Sequence, residues 1–107
     1  MSLAGWIGEW LERSAYHFKY MGHMSKTKRP ASEYFARNIW ISADPEERML
    51  PLMIEFAGLD RFFSGSYYPH AEGFGSLVAK TRERLHTILE TSIQRVLYDN
   101  AIAFYGI

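Results

Sequence analysis

The sequence of 107 residues contains no cysteine. This absence excludes disulfides, thiolate nucleophiles, zinc–thiolate sites and iron–sulfur clusters. Twelve Lys and Arg residues balance twelve Asp and Glu residues, so no excess positive charge attracts a phosphate backbone or anionic lipid. No apolar run approaches the roughly 20 residues of a membrane span. We therefore expect a cytoplasmic protein whose partners include neither nucleic acid nor a membrane.

Apolar residues are abundant. They make up 48% of the chain, and aromatic residues make up 16%. At zero net charge this composition favours association between copies over repulsion. The length suits a single domain, which we assign to residues 1–107.

Helical periodicity is clearest near the two ends of the chain. Residues 6–21 predict an amphipathic helix that ends at Gly22. Residues 77–97 carry a second apolar stripe, which a capping box beginning at Thr91 would divide into two helices near residue 90. A last helical segment over 100–105 ends at Gly106. The stripe of the first helix comprises Trp6, Ile7, Trp10, Leu11, Phe18 and Met21.

Short helices and strand-length apolar runs alternate in the middle of the chain. In order, we predict a polar loop over 22–31, a helix over 33–37 capped by Ser32, a strand over 38–42, a turn over 45–49, a helix over 51–57 ended by Gly58, a strand over 61–66 and a loop over 67–75. The order helix, strand, helix, strand, helix, helix is typical of α/β proteins. It predicts two parallel strands joined by a right-handed helical crossover.

Several short segments carry a resemblance to a known family. They are Ser32-Glu33-Tyr34-Phe35 before the first strand, Gly58-Leu59-Asp60-Arg61 before the second, Gly65-Ser66-Tyr67-Tyr68-Pro69-His70 after it, and the closing Asn100-Ala101-Ile102-Ala103-Phe104-Tyr105-Gly106. With them the chain resembles the C-terminal part of the amidohydrolase-2 family, which are metal-dependent TIM-barrel hydrolases and decarboxylases. Because a closed (β/α) barrel takes roughly 250 residues, the resemblance implies an incomplete barrel fragment of about two parallel strands and four to five helices.

The chain departs from the family pattern at one chemically decisive position. The pattern reads G-S-D-Y-P-H, and its aspartate, which the resemblance implies would bind a divalent metal such as zinc or act as a base, is Tyr67 here. A neutral phenol does not replace a hard anionic ligand or a base poised near neutrality. The family's earlier histidine ligands also have no counterpart. We therefore expect no metal, no catalytic residue and no hydrolase activity in this chain alone.

The loop after the second predicted strand holds the candidate binding residues. They are Tyr67, Tyr68, His70 and Glu72, because sites in barrel proteins are built where the strands end. The remaining histidines, His17, His23 and His86, show no metal-ligand spacing and are predicted to be packed or solvated.

Other acidic and aromatic residues have simpler explanations. Glu46 and Glu47 are adjacent, and we explain them as first-turn acids at the positive end of a helix dipole. Tyr16 and Tyr20 lie one helical turn apart on a polar side and are predicted to lie in an interface.

The predicted sheet is too small to close a core. Two parallel strands are marginal in water, and parallel sheets need both faces covered. We expect a homo-oligomer, or a complementary barrel chain that supplies the missing strands. Two functions remain open: an amidohydrolase-like fragment that needs a partner for activity, and a non-catalytic module that associates with itself.

Overall fold

The computed structural model describes residues 3–69 and 76–107, which form an α/β fold around a two-stranded parallel sheet. The elements are α1 (Gly5–Met21), a 3₁₀ turn (Gly22–Met24), α2 (Ala31–Asn38), β1 (Ile41–Ala43), α3 (Leu50–Ala57), a 3₁₀ turn (Leu59–Arg61), β2 (Phe62–Ser64), α4 (Leu77–Arg84), α5 (Glu90–Gln94), a π turn (Arg95–Asp99) and α6 (Asn100–Tyr105). Because α5, the π turn and α6 follow one another without a gap, the described residues form about five helices. The predicted α/β class and parallel strand pair are confirmed.

The two strands are shorter than the sequence predicts. The ladder pairs Ile41 with Phe62 and Ala43 with Ser64, three residues on each strand. Residue 38, predicted as the first residue of the first strand, is instead the last residue of α2. Residues 65 and 66, predicted as the end of the second strand, lie beyond Ser64, where β2 ends. The predicted strands were too long because aromatic and β-branched residues, which favour strands, continue beyond the positions at which the two strands pair.

One face of the sheet packs against the helices, and this packing forms the core. Side chains alternate between the two faces of a strand, so Ile41, Ala43 and Phe62 are buried on the helical side. The core cluster comprises Ala4, Ile7, Leu11, Phe35, Ile41, Ala43, Leu50, Met53, Ile54, Phe62, Leu85, Ile93 and Val96. The opposite face of the sheet, which carries Ser42 and Phe63, is only half-buried.

Helix α1 is buried over only part of its predicted stripe. Ile7 and Leu11 are in the core, whereas Trp10 is 37% and Met21 52% exposed. The radius of gyration is 15.2 Å, against about 13 Å for a compact domain of this length. The α-helix ends at Met21 with Gly22 as its C-cap, as predicted, but Gly22 keeps a φ of −60° and begins the 3₁₀ turn instead of adopting a left-handed conformation. Among the described residues, no helix is both long and apolar enough to cross a membrane.

Two predicted helix caps are wrong. Helix α2 begins at Ala31 after Pro30, and α5 begins at Glu90; neither N-terminus has a side-chain capping bond. Ser32 and Thr91 therefore lie inside their helices. The predicted division of the last stripe near residue 90 is confirmed, because residues 85–89 separate α4 from α5.

Glu47 has a role that the sequence did not suggest. Helix α3 begins three residues later, and the Glu47 carboxylate instead accepts hydrogen bonds from the backbone N–H groups of Ala4 and Gly5 at the start of α1. These N–H groups have no partner inside the helix, and the carboxylate also favours the positive end of its dipole. A Cβ atom at Gly5 would lie 2.8 Å from the carboxylate oxygen. Glu46, by contrast, forms an exposed ion pair with Lys80 at 3.3 Å.

The last motif of the sequence, residues 100–106, binds α6 to the start of β2 and ends that helix. Asn100 is buried, and its side-chain amide donates 2.8 Å hydrogen bonds to the carbonyl oxygens of Leu59 and Phe62, at the entry to β2. The π turn directly precedes this residue in the chain. At the other end of α6, Gly106 adopts a φ of +70° and donates its N–H to Ile102, as the predicted helix end requires.

Candidate functional site

The candidate site lies at the end of the sheet where both parallel strands finish, which we call the carboxyl edge. Ser42 lies in the middle of β1, and Tyr67 lies three residues beyond the end of β2. The Tyr67 hydroxyl donates a 2.8 Å hydrogen bond to Ser42 Oγ. The fold thus joins two hydroxyl groups that are 25 residues apart in the chain, and we call Ser42 and Tyr67 the hydroxyl pair.

Two backbone features accompany the hydrogen bond between Ser42 and Tyr67. Tyr67 has a φ of +55°, a left-handed conformation that costs a residue with a Cβ roughly 1–2 kcal/mol. Gly65 lies beside Ser42, and a Cβ atom there would come within 3.3 Å of Ser42 Oγ. A side chain at position 65 would therefore press on the serine hydroxyl, and glycine leaves the space beside it open.

The other predicted binding residues are placed differently. Tyr68 is 86% exposed. Its backbone N–H donates a hydrogen bond of 3.4 Å to Ser66 Oγ. His70 and Glu72 lie outside the described residues. Of the two described candidates, Tyr67 and not Tyr68 contacts a polar side chain of the other strand.

Ser42 was missed in the sequence. Its signal was the alternation along the first strand, which sets residue 42 on the face opposite Ile41 and Ala43. Alternation alone did not identify Ser42 as a site residue, because only the pairing of β1 with β2 brings it close to the residues that follow β2.

The described residues do not fit the divalent metal that the family resemblance implies. In the described ranges, no group of three or more His, Asp or Glu side chains could hold a metal ion. The Tyr67 hydroxyl donates its hydrogen to Ser42. A hard divalent cation prefers anionic or carbonyl oxygen ligands, and a hydroxyl that donates its hydrogen elsewhere does not supply an anionic one.

Aromatic rings cover part of the sheet opposite the core. This aromatic face consists of Trp40, Phe63, Phe104 and Tyr105, with ring centroids 5.1 Å apart for Phe63 and Phe104 and 5.5 Å for Trp40 and Phe104. The guanidinium of Arg61 lies 4.7 Å from the centre of the Trp40 ring, a cation–π distance. Phe104 remains 46% and Tyr105 65% exposed, so the aromatic face is only partly covered by the chain itself.

A separate groove of about 410 Å³ lies away from the carboxyl edge, between α1, α2 and the polar segment that joins them. Its lining includes the rings of Phe18 and Tyr34 and the side chains of His17 and Arg29. Arg29 lies 3.8 Å from Glu33 in an exposed ion pair. The polar segment predicted as a solvated loop therefore forms one wall of this groove.

No protein-family model matches the sequence, and no curated protein matches it. Its fold is similar to the crystal structure of an amidohydrolase from Mycobacterium avium subsp. paratuberculosis K-10, with a TM-score of 0.79 and 24% sequence identity. The match covers 94% of this chain and 25% of that one, so this chain spans about a quarter of the length of that protein. The described fold is therefore amidohydrolase-like.

Proposed function

We propose that the chain is the carboxyl-terminal part of an amidohydrolase-like (β/α) barrel and contributes its last two or three units. The observation that carries this proposal is the structural match, which places nearly the whole chain on a quarter of a solved amidohydrolase. The motif residues add support, because Tyr67 lies just beyond a strand end and Asn100 anchors the entry to the same strand.

In this proposal the chain alone binds no metal cofactor and catalyses neither hydrolysis nor decarboxylation. The support is chemical. Tyr67 stands at the position of the family's metal-linked acid and uses its hydroxyl as a donor to Ser42. Activity of the family type would then require the strands and ligands of the rest of a barrel.

The proposal also requires a polypeptide partner, either a complementary barrel chain or further copies of this one. Parallel sheets are stable when both faces are covered, and here the aromatic face keeps Phe104 and Tyr105 about half exposed. The extended shape, with a radius of gyration of 15.2 Å, fits a unit that packs against others. Nucleic acid and membranes are not part of this proposal, which places the protein in the cytoplasm.

A second candidate is a non-catalytic module that associates with itself. The observation that favours it is the exposure of apolar side chains on α3, outside the aromatic face. Leu52 is 58% and Phe56 49% exposed, and they lie one helical turn apart on the same side of the helix. Both candidates predict association, but a gain of metal affinity on placing an aspartate at position 67 would support the barrel fragment alone.

Two measurements test the proposed function together. The first is the mass in solution, by size-exclusion chromatography with light scattering over a tenfold concentration range; we expect a defined assembly larger than one chain. The second is a zinc titration of the wild type and of Tyr67→Asp; we expect no stoichiometric binding by the wild type, and a gain of zinc affinity in the variant would support descent from a metal-dependent barrel. Tyr20→Phe, an exposed tyrosine on α1, is the control.

The outcomes separate the candidates. A folded monomer across the whole concentration range would contradict both. Assembly together with a gain of zinc binding in Tyr67→Asp would favour the barrel fragment over the self-associating module. Stoichiometric zinc binding by the wild type would contradict the proposal that this chain has lost its metal chemistry.

A further inference from the structure

We propose that α3 of one copy of this chain docks in the groove between α1 and α2 of another copy, with Glu55 of α3 facing Arg29 of the groove. The inference rests on the proposed function only in that copies of this chain associate. The contact is made by residues outside both the hydroxyl pair and the aromatic face.

Helix α3 is more apolar than a surface helix normally is. Glu55 is its only charged residue, and a helix that is apolar on all sides is normally buried. Yet Met49, directly before the helix, and Leu52 and Phe56 within it are each about half exposed. These three side chains lie within about 60° of arc around the helix axis. Their spacing of i, i+3 and i+7 is that of helices that bind in the groove of a partner.

The groove offers apolar walls and a cation to such a helix. Its volume of about 410 Å³ falls in the range of pockets that bind apolar groups, roughly 300–1,000 Å³. Phe18, Met21 and Tyr34 supply apolar surface, and Arg29 also lines the groove. Arg29 lies 3.8 Å from Glu33, which is beyond hydrogen-bond distance, and such exposed pairs contribute little. Arg29 is therefore available to a carboxylate from another molecule.

The two regions carry opposite charge. Residues 19–37, which include most of the groove lining, contain five cationic side chains and one acidic side chain, a net charge of +4. Residues 44–60, which include α3, contain five acidic side chains and one cationic side chain, a net charge of −4. The rest of the chain is neutral overall. Opposite charges of this size attract one copy to another and orient it.

Glu55 is the carboxylate of residues 44–60 that is available to meet Arg29. It is exposed, and within residues 3–69 and 76–107 it forms no ion pair. It lies three residues after Leu52, beside the apolar side chains that would enter the groove. The other acids of this segment are engaged within the chain, in exposed ion pairs or in hydrogen bonds to backbone N–H groups; they are Asp44, Glu46, Glu47 and Asp60.

The test is light scattering of the full chain over a tenfold concentration range, with charge reversals at the two proposed partners. Arg29→Glu and Glu55→Arg each replace an attraction by a repulsion, and we expect each to weaken association about tenfold. An equimolar mixture of the two variants places opposite charges across the contact again. Its association should return to within about threefold of the wild type. A contact elsewhere on the chain is the same in each variant and in the mixture, so it does not produce this recovery.

Two controls change the net charge by the same amounts at other positions. Glu12→Arg matches Glu55→Arg, because Glu12 is exposed on α1, on the side away from the groove. Arg37→Glu matches Arg29→Glu, because Arg37 is exposed in the last turn of α2 and does not line the groove. Neither should weaken association more than about twofold. Circular dichroism spectra like that of the wild type show that each variant is folded.

Leu52→Ser tests the apolar part of the contact. It removes an exposed apolar side chain and should weaken association about fivefold. Because salt screens exposed charges, added NaCl should weaken the wild-type assembly more than that of Arg29→Glu. Wild-type association in Leu52→Ser would contradict the docking of α3.

Two further results would overturn the proposal: charge-reversal variants that associate as tightly as the wild type, or a mixture that stays as weak as each variant alone. Either would leave the proposed assembly standing, with its contact elsewhere on the chain. A wild-type chain that stays monomeric would contradict this contact and the proposed association together.

Discussion

Asn100 offers the sharpest test of how this small fold is held together. Its side-chain amide is buried and donates two hydrogen bonds of 2.8 Å, to the carbonyl oxygens of Leu59 and Phe62. These carbonyls belong to the segment that leads into β2 and to β2 itself. Asn100→Ala removes both donors at once and leaves two carbonyl groups without this partner.

The expected loss follows from these contacts. Each hydrogen bond contributes about 1 kcal/mol net, and a buried acceptor left without a donor adds a desolvation cost, so the total is about 3 kcal/mol. For a domain of this size each kcal/mol lowers the midpoint of thermal unfolding by about 4–8 °C, which gives a drop of roughly 12–24 °C. Asn100→Asp should be at least as damaging at neutral pH, because an ionised carboxylate offers only acceptors to the two carbonyls.

Thermal unfolding followed by circular dichroism measures this loss of stability. The protein concentration is held fixed because association shifts the midpoint. Asn38→Ala is the matched control, since Asn38 is exposed at the end of α2 and surface substitutions usually change stability by less than about 0.5 kcal/mol. A midpoint for Asn100→Ala within a few degrees of the wild type would refute the role assigned to these two hydrogen bonds.

Three further substitutions test the other contacts. Glu47→Ala should lower the free energy of unfolding, measured in urea, by about 1–2 kcal/mol because α1 loses its N-terminal cap. Glu46→Ala is the control, because it removes only an exposed ion pair and should change that free energy by less than about 1 kcal/mol. Equal losses in the two variants would contradict the capping role of Glu47. Gly65→Ala places a Cβ 3.3 Å from Ser42 Oγ and should lower the free energy of unfolding by about 1 kcal/mol through crowding of the hydroxyl pair; a wild-type value would mean that this contact is not tight. Phe104→Ser should shift the assembly towards the monomer in light scattering, and an unchanged mass would place the contact away from the aromatic face.

The parts of the fold that could be predicted are those specified by local backbone preferences. Gly58 and Gly106 end their helices with φ values of +103° and +70°, which glycine adopts more readily than other residues. Hydrophobic periodicity located the long first helix and the helical end of the chain. The helix and strand order was sufficient to predict parallel pairing, because a helix lies between the two strands in the chain.

The contacts that were missed join distant parts of the chain. Glu47 reaches the start of α1 across 43 positions, and Asn100 reaches Phe62 across 38. A sequence pattern identifies Glu47 as an acid near a predicted helix, but it does not show which helix terminus will lie next to it. Ser42 was missed for the same reason, because its partner Tyr67 is brought close only by the pairing of the strands.

Tyr67 gives the carboxyl edge a chemistry different from that of an aspartate, the residue that the resemblance to the amidohydrolase-2 pattern implies at this position. An aspartate side chain is shorter than that of tyrosine and is anionic at neutral pH, so at position 67 it would offer a charged oxygen ligand to a cation. The longer tyrosine extends to the neighbouring strand and donates its hydrogen to Ser42. Because that hydrogen is engaged, the Tyr67 oxygen offers no anionic ligand. The residue at position 67 therefore joins the two strands instead of presenting a charged oxygen to a cation.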